Sequence, residues 1–160
     1  MLEHMSLIVH AWTAGPGGWQ RRVTDGTGVP LGAVCYEGAA PGTWFPWLRR
    51  IRLHVLETED ASHLMTLVRT WGLRRSWHVE DAEAFHVGTL HWGWLISSEG
   101  VTLGHLDSGR IVDSADQELA SYRQRSDAAM EVTFTKAAMD NPFLRMLLLG
   151  SILALAPTPT

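Results

Sequence analysis

The side chains whose type and spacing could do chemistry in this 160-residue chain are its histidines, its one cysteine, its turn aspartates and its clustered arginines. His86 and His91 stand five apart, with His105 further on. On a strand that spacing puts His86 and His91 on opposite faces. No His-x-His or Cys-x-x-Cys pattern occurs, so no metal site is expected. Cys35 lies in an apolar stretch, and Ser97-Ser98 lacks the strand-turn-helix setting of a nucleophilic serine. Asp25, Asp81, Asp107 and Asp113 fall in or beside turn signals, where an aspartate's business is to bond the backbone. These residues form no catalytic constellation, so the expectation is a non-enzymatic chain without cofactor.

The arginines carry more. Arg49, Arg50 and Arg52 come together, as do Arg74 and Arg75, and Arg21 and Arg22, in a chain of formal net charge −4. Trp44, Phe45 and Trp47 directly precede the first group. Arginine's planar fork suits phosphate, and aromatics beside cations suit a membrane interface. The plainer reading is a solvated strand face, with the aromatics in the core. The candidate binding residues are therefore Trp47, Arg49, Arg50, Arg52, Arg74 and Arg75, toward an acidic phospholipid or an acidic protein. The net negative charge argues against nucleic acid.

Composition sets the frame for placing them. Apolar residues make up 46% and charged residues 19%, as in a globular domain. A lone cysteine permits no internal disulfide and suits a reducing compartment. No secretory signal is expected, which points to a cytoplasmic protein, peripheral to the membrane if it touches lipid. Residues 1–4 read as a cloning remnant ahead of Met5, and 157–160 as a tail, leaving 6–156 as one domain. A monomer is expected.

From Ser6 to Lys136 the signals are nearly all strand and turn. Strands are expected at 6–12, 19–24, 30–36, 49–57, 63–70, 75–80, 85–91, 92–98, 101–106, 110–112, 118–123 and 130–136. The stretch 43–48 is ambiguous, and a helix over 116–130 is an alternative. In 49–57, Ile51, Leu53 and Val55 share one face while Arg50, Arg52 and His54 share the other. A repeat at an offset of 56 residues sets Val23-x-Asp25 on Val79-x-Asp81, and Leu31-Gly32-x-Val34 on Val87-Gly88-x-Leu90.

The chain then ends differently. Asp140 or Asn141 caps a helix, Pro142 takes its first position, and in 143–156 only Arg145 and Ser151 are polar. A helix apolar all round is buried all round. Its length is short of the roughly 20 apolar residues a membrane span needs, so no transmembrane span is expected. About twelve strands suffice to enclose one helix. The fold expected is mainly β: a closed barrel of two pseudo-repeats around the hydrophobic C-terminal helix.

This order of features resembles the tubby C-terminal-like fold of the LURP-one-related proteins and phospholipid scramblases. The residues that carry the resemblance are Trp77-His-Val-Glu-Asp-Ala-Glu83 with Val87-Gly88, the fainter copy at 23–34, and the closing helix from Asn141-Pro-Phe143 to Leu155. The resemblance implies a barrel adaptor that binds membrane phospholipid or a protein. Its alternatives are a membrane-inserted lipid translocator and a small-ligand barrel. Two features depart from the family pattern. Ala84 stands where the family hairpin has glycine, and Ala129 where calcium binding would want an acid.

Overall fold

A computed structural model describes residues 1–15, 17–38, 51–58, 62–69 and 76–156. Its strands, in chain order, are β1 (Ser6–Val9), β2 (Thr13–Gly15), β3 (Gly18–Asp25), β4 (Pro30–Glu37), β5 (Arg52–Glu57), β6 (His63–Arg69), β7 (Ser76–Asp81), β8 (His86–His91), β9 (Trp94–Ser97), β10 (Thr102–Asp107), β11 (Arg110–Val112), β12 (Glu118–Gln124) and β13 (Met130–Phe134). A short helix α1 (Lys136–Met139) and the long α2 (Pro142–Leu155) follow. From β3 to β13 each strand pairs antiparallel with its successor. β1 pairs with both β13 and β3 and closes a ring of twelve, and β2 hangs on β3 outside that ring. Closure removes the unpaired edges an open sheet would present.

Side-chain alternation then divides each strand between lumen and wall. Leu7, Val9, Val23, Val34, Leu53, Val55, Leu67, Val79, Leu95, Ile111 and Val132 are buried and face inward. The meander also sorts the connections. Turns from odd to even strands lie at one end, where α2 begins, and those from even to odd strands at the other, where α2 finishes beside Tyr122 and Met130. We call these the entry end and the exit end.

Most entry-end turns are copies of one device. Asp25 Oδ1 accepts from the amides of Thr27 and Val29, and Asp81 Oδ1 from those of Glu83 and Phe85. Asp113 does the same with Ala115 and Gln117, and Ser97 Oγ accepts from Val101. The fourth residue of each is left-handed: Gly28, Ala84, Gly100 and Asp116. Three residues further on, the strand takes in one extra residue, Leu31, Val87, Leu103 or Leu119, and pairing resumes at Gly32, Gly88, Gly104 or Ala120. Such a bulge bends the strand toward its next neighbour. A Cβ on Gly32, Gly88 or Gly104 would overlap a carbonyl oxygen of that neighbour. The expected 56-residue repeat is therefore real in space, and the unit recurs at 97 and 113, at 16-residue intervals.

α2 fills the lumen. Asn141 caps it, its side-chain oxygen accepting from Leu144 N at 3.1 Å, with Pro142 next in line. Met146, Leu147, Leu148, Leu149, Gly150, Ser151, Ile152 and Leu153 are all buried. Eight consecutive residues turn through more than two full circles, so every side of the helix is covered. It touches β6 to β9 on one side and β12 and β13 on the other. Ser151 Oγ donates to Leu147 O at 2.7 Å, and Arg145 Nη1 donates to Leu2 O, while Arg145 Nε is buried without a partner. Gly150 lets the wall come close, since a Cβ there would stand 2.9 Å from Val79 Cγ2.

Some expectations change in detail. The strand expected over 6–12 stops at Val9, a separate β2 forms at 13–15 where a turn was expected to begin, and 116–130 is turn, strand, turn and strand rather than helix. The last strand stops at Phe134 because residues 136–139 form α1. The N-terminal residues pack on the barrel: Leu2 is in the core, and the Met1 ammonium meets Glu57 Oε1 at 2.5 Å. Replacing Leu148 by Asp places an unpaired charge in the lumen, and this variant is expected to yield no soluble folded protein. Gly150→Leu is expected to behave likewise from overpacking alone. Circular dichroism and size exclusion on both check this; a soluble Leu148→Asp variant with an unchanged melt would show that the helix is not the core.

Candidate functional site

Of the candidate residues, Arg52 is within the described structure, while Trp47, Arg49, Arg50, Arg74 and Arg75 lie outside the described residues. Arg52 points to the outer wall, opposite its inward neighbours Ile51 and Leu53, as the alternation requires. Its charge is shared: Nη1 lies 3.9 Å from Glu37 Oε2, which also takes His54 Nε2 at 2.9 Å. The described neighbours of the other candidates, Gly38 and Ile51, Arg69 and Ser76, all stand at the exit end.

That end carries a group of residues the sequence reading did not single out. β8 and β9 are joined by Trp92-Gly93, with φ of 51° and 83°. Two positive φ values define the tight turn that favours Asn-Gly, and an L-residue there costs roughly 1–2 kcal/mol. Trp92 holds this position with 72% of its surface exposed. Trp94 is half exposed on the outer wall, its ring 5.0 Å from that of His105, and Trp19 is the second residue of β3 at the same end. The adjoining turn, Ser108-Gly109, has the same geometry and is followed by Arg110. Arg123 lies near the end of β12 and Arg125 opens the turn of the last hairpin. Each of these arginines faces a carboxylate: Arg110–Asp107 at 2.8 Å, Arg123–Glu131 at 2.7 Å, Arg125–Asp127 at 3.7 Å. Trp92-Gly93 is legible as a turn from the X-Gly dipeptide, but an apolar run on both sides masks it as continuous strand.

Among the described residues Arg21 is the buried cation of this end, 5% exposed, with its guanidinium carbon 4.5 Å from the Trp12 ring centre. It lines the small cavity at Leu155 and Ala156, where the carbonyl end of α2 favours positive charge. Burial pulls its pKa below the ordinary arginine value.

The outer wall holds the histidines. Thr66 Oγ1 bridges His54 Nδ1 at 3.3 Å and His63 Nε2 at 2.8 Å. Thr89 Oγ1 bridges His78 Nδ1 at 3.1 Å and His86 Nε2 at 3.3 Å. His86 is thus on the wall with His91, not on the opposite face. The bulge at Val87 inserts one residue between them and reverses the alternation. Cys35 is in register with His54, whose two ring nitrogens are engaged by Glu37 and Thr66, so His54 is not poised as its base. Among the described residues no three metal-ligating side chains converge.

The site thus belongs to a helix-filled, twelve-stranded β-barrel with tryptophans and paired arginines at its exit end. No family model, curated protein or solved structure matches the chain.

One wall histidine, His78, makes stability depend on pH. His78 faces Thr89 and His86 from β8, Val68 from β6 and Glu80 along its own strand. Burial first, then the neighbouring His86, lowers its pKa, against a smaller opposing pull from Glu80. Above the ordinary histidine pKa both folded and unfolded chains hold this ring neutral and stability is complete. As pH falls through that value the unfolded chain takes the proton first, so stability declines until the folded ring also protonates. The melting temperature should therefore fall between pH 7.5 and 5 by less in His78→Asn than in the parent; parallel declines would remove His78 as the cause.

Proposed function

We propose that this chain is a non-enzymatic barrel module, of the tubby-like and LURP-one-related kind, that rests its exit end on an acidic membrane surface as a peripheral adaptor. The observation that carries this reading is Trp92, a large apolar ring held at an exposed turn tip in a backbone conformation that disfavours it. Backbone strain persists where the surroundings over-determine it, and it clusters at contact sites. An exposed tryptophan has an apolar body and one N–H donor, the combination that settles at the headgroup level. The described exit-end arginines are paired with carboxylates, so the attraction to anionic headgroups is assigned to the candidates Arg49, Arg50, Arg74 and Arg75, which precede β5 and β7 in the chain. Each such residue near an anionic surface is worth on the order of 1 kcal/mol, and salt weakens it.

The membrane-inserted translocator is the weaker reading. Among the described residues no helix is long and apolar enough to cross a membrane, and α2 is enclosed by the barrel. The small-ligand barrel would need α2 to leave the lumen it fills.

Trp92→Asn is the informative variant, because asparagine suits the turn while removing the ring. It should melt at or above the parent temperature. It should also co-sediment several-fold less with phosphatidylcholine vesicles containing phosphatidylserine. The Arg49→Gln, Arg50→Gln, Arg52→Gln triple variant should lose binding chiefly at low salt. Equal sedimentation by both variants and the parent would overturn the membrane reading.

A further inference from the structure

The entry end is built differently. The fifth position of the repeated turn places Val29, Phe85 and Val101 outward, each more than half exposed, and Phe143 joins them from the first turn of α2 at 57%. Between turns 81–85 and 97–101 and the start of α2 lies a cavity of about 490 Å³. Val87, Leu103 and Leu147 form its floor, Phe85 and Phe143 its walls, and Glu99 its lip. That volume is in the range of specific ligand pockets. The charge around it is also one-sided. Glu83, Glu99, Asp116, Glu118 and Asp140 stand at this end, and among the described residues none of them makes an ion pair. The described entry-end cations are Lys136, Arg145 and the Met1 ammonium; Arg145 is committed to Leu2 O and Met1 to Glu57. At the exit end, by contrast, arginines answer the carboxylates.

We propose that the entry-end cavity is a docking site for a basic, amphipathic peptide segment of a partner protein. One apolar side chain of the segment seats between Phe85 and Phe143, and flanking lysines or arginines face Glu83 and Glu99. The apolar lining selects for a buried anchor and the unneutralised carboxylates select for positive charge, the pairing by which grooves take amphipathic helices. The anchor supplies most of the affinity, and the carboxylates supply association rate and choice of partner. This surface is on the opposite end of the barrel from Trp92 and does not depend on the membrane reading.

The probe is a fluorescein-labelled amphipathic peptide of lysines and leucines, set against its counterpart with every lysine replaced by glutamate. Anisotropy should show binding of the lysine peptide alone. A Phe85→Ser, Phe143→Ser double variant should bind it roughly tenfold more weakly with an unchanged melt. Glu83→Gln with Glu99→Gln should lose binding mainly at low salt, and Trp92→Asn should bind as the parent does. Amide shifts on titration should fall in 81–87, 97–103 and 141–147. Undiminished binding by the phenylalanine variant, equal binding of the glutamate peptide, or shifts centred elsewhere would overturn the proposal. The same shifts appearing on concentrating the protein alone would overturn it too, by assigning the surface to a second copy of the chain.

Discussion

The enclosure of α2 is the interaction on which the rest of the structure depends. A twelve-stranded ring is too wide for its inward side chains to meet across the lumen, and an apolar helix with eight consecutive buried residues is too greasy to stand in water. Each solves the other's problem. The fit is set by size as much as by hydrophobicity: Gly150 gives room for Val79, and Gly88 gives room for Leu147. The two polar residues of the helix do not disturb this, because Ser151 bonds back to its own helix and Arg145 reaches out of the lumen to the backbone of Leu2.

Much of this architecture is written plainly. The all-apolar run after Pro142 announces a buried helix, and the Asp-to-Gly spacing at 25–32 and 81–88 announces two hairpins of one kind. The further copies at 97 and 113 are hidden because the repeated property is a backbone conformation, not a residue. Ser97 replaces Asp, Ala120 replaces Gly, and the left-handed position accepts Gly, Ala or Asp. The same hidden bulge explains the misplaced His86. Period-2 reasoning holds only while no residue is inserted, and nothing in Phe85-His-Val-Gly88 marks Val87 as extra.

The candidate site was legible in part. Alternation along 49–57 places Arg52 on the outer wall, but no sequence pattern reveals that Glu37, seventeen or so residues of chain away from His54, gathers both His54 and Arg52. Trp92 was hidden by a rule broken locally: tight turns of this type call for asparagine, and tryptophan reads as strand. The two ends of the barrel therefore differ in a manner that linear reading scatters. Tryptophans and paired positive groups collect at one end, unpaired negative groups with phenylalanines and valines at the other, because the meander sends alternate connections to opposite ends.

The order of segments along the chain bears on how such a molecule comes into being. Every strand precedes the helix that fills the ring, and β1 finds its β13 partner across almost the whole domain. At typical rates of synthesis, on the order of ten seconds separate the emergence of β1 from that of α2. Through that interval the nascent chain holds hairpins that are locally complete yet display one apolar face each, with nothing to place against it. Contacts so distant in sequence make for slow closure. Maturation is thus a single late event, in which the plug and the final seam arrive together, and until then the growing sheet is a natural client for chaperones.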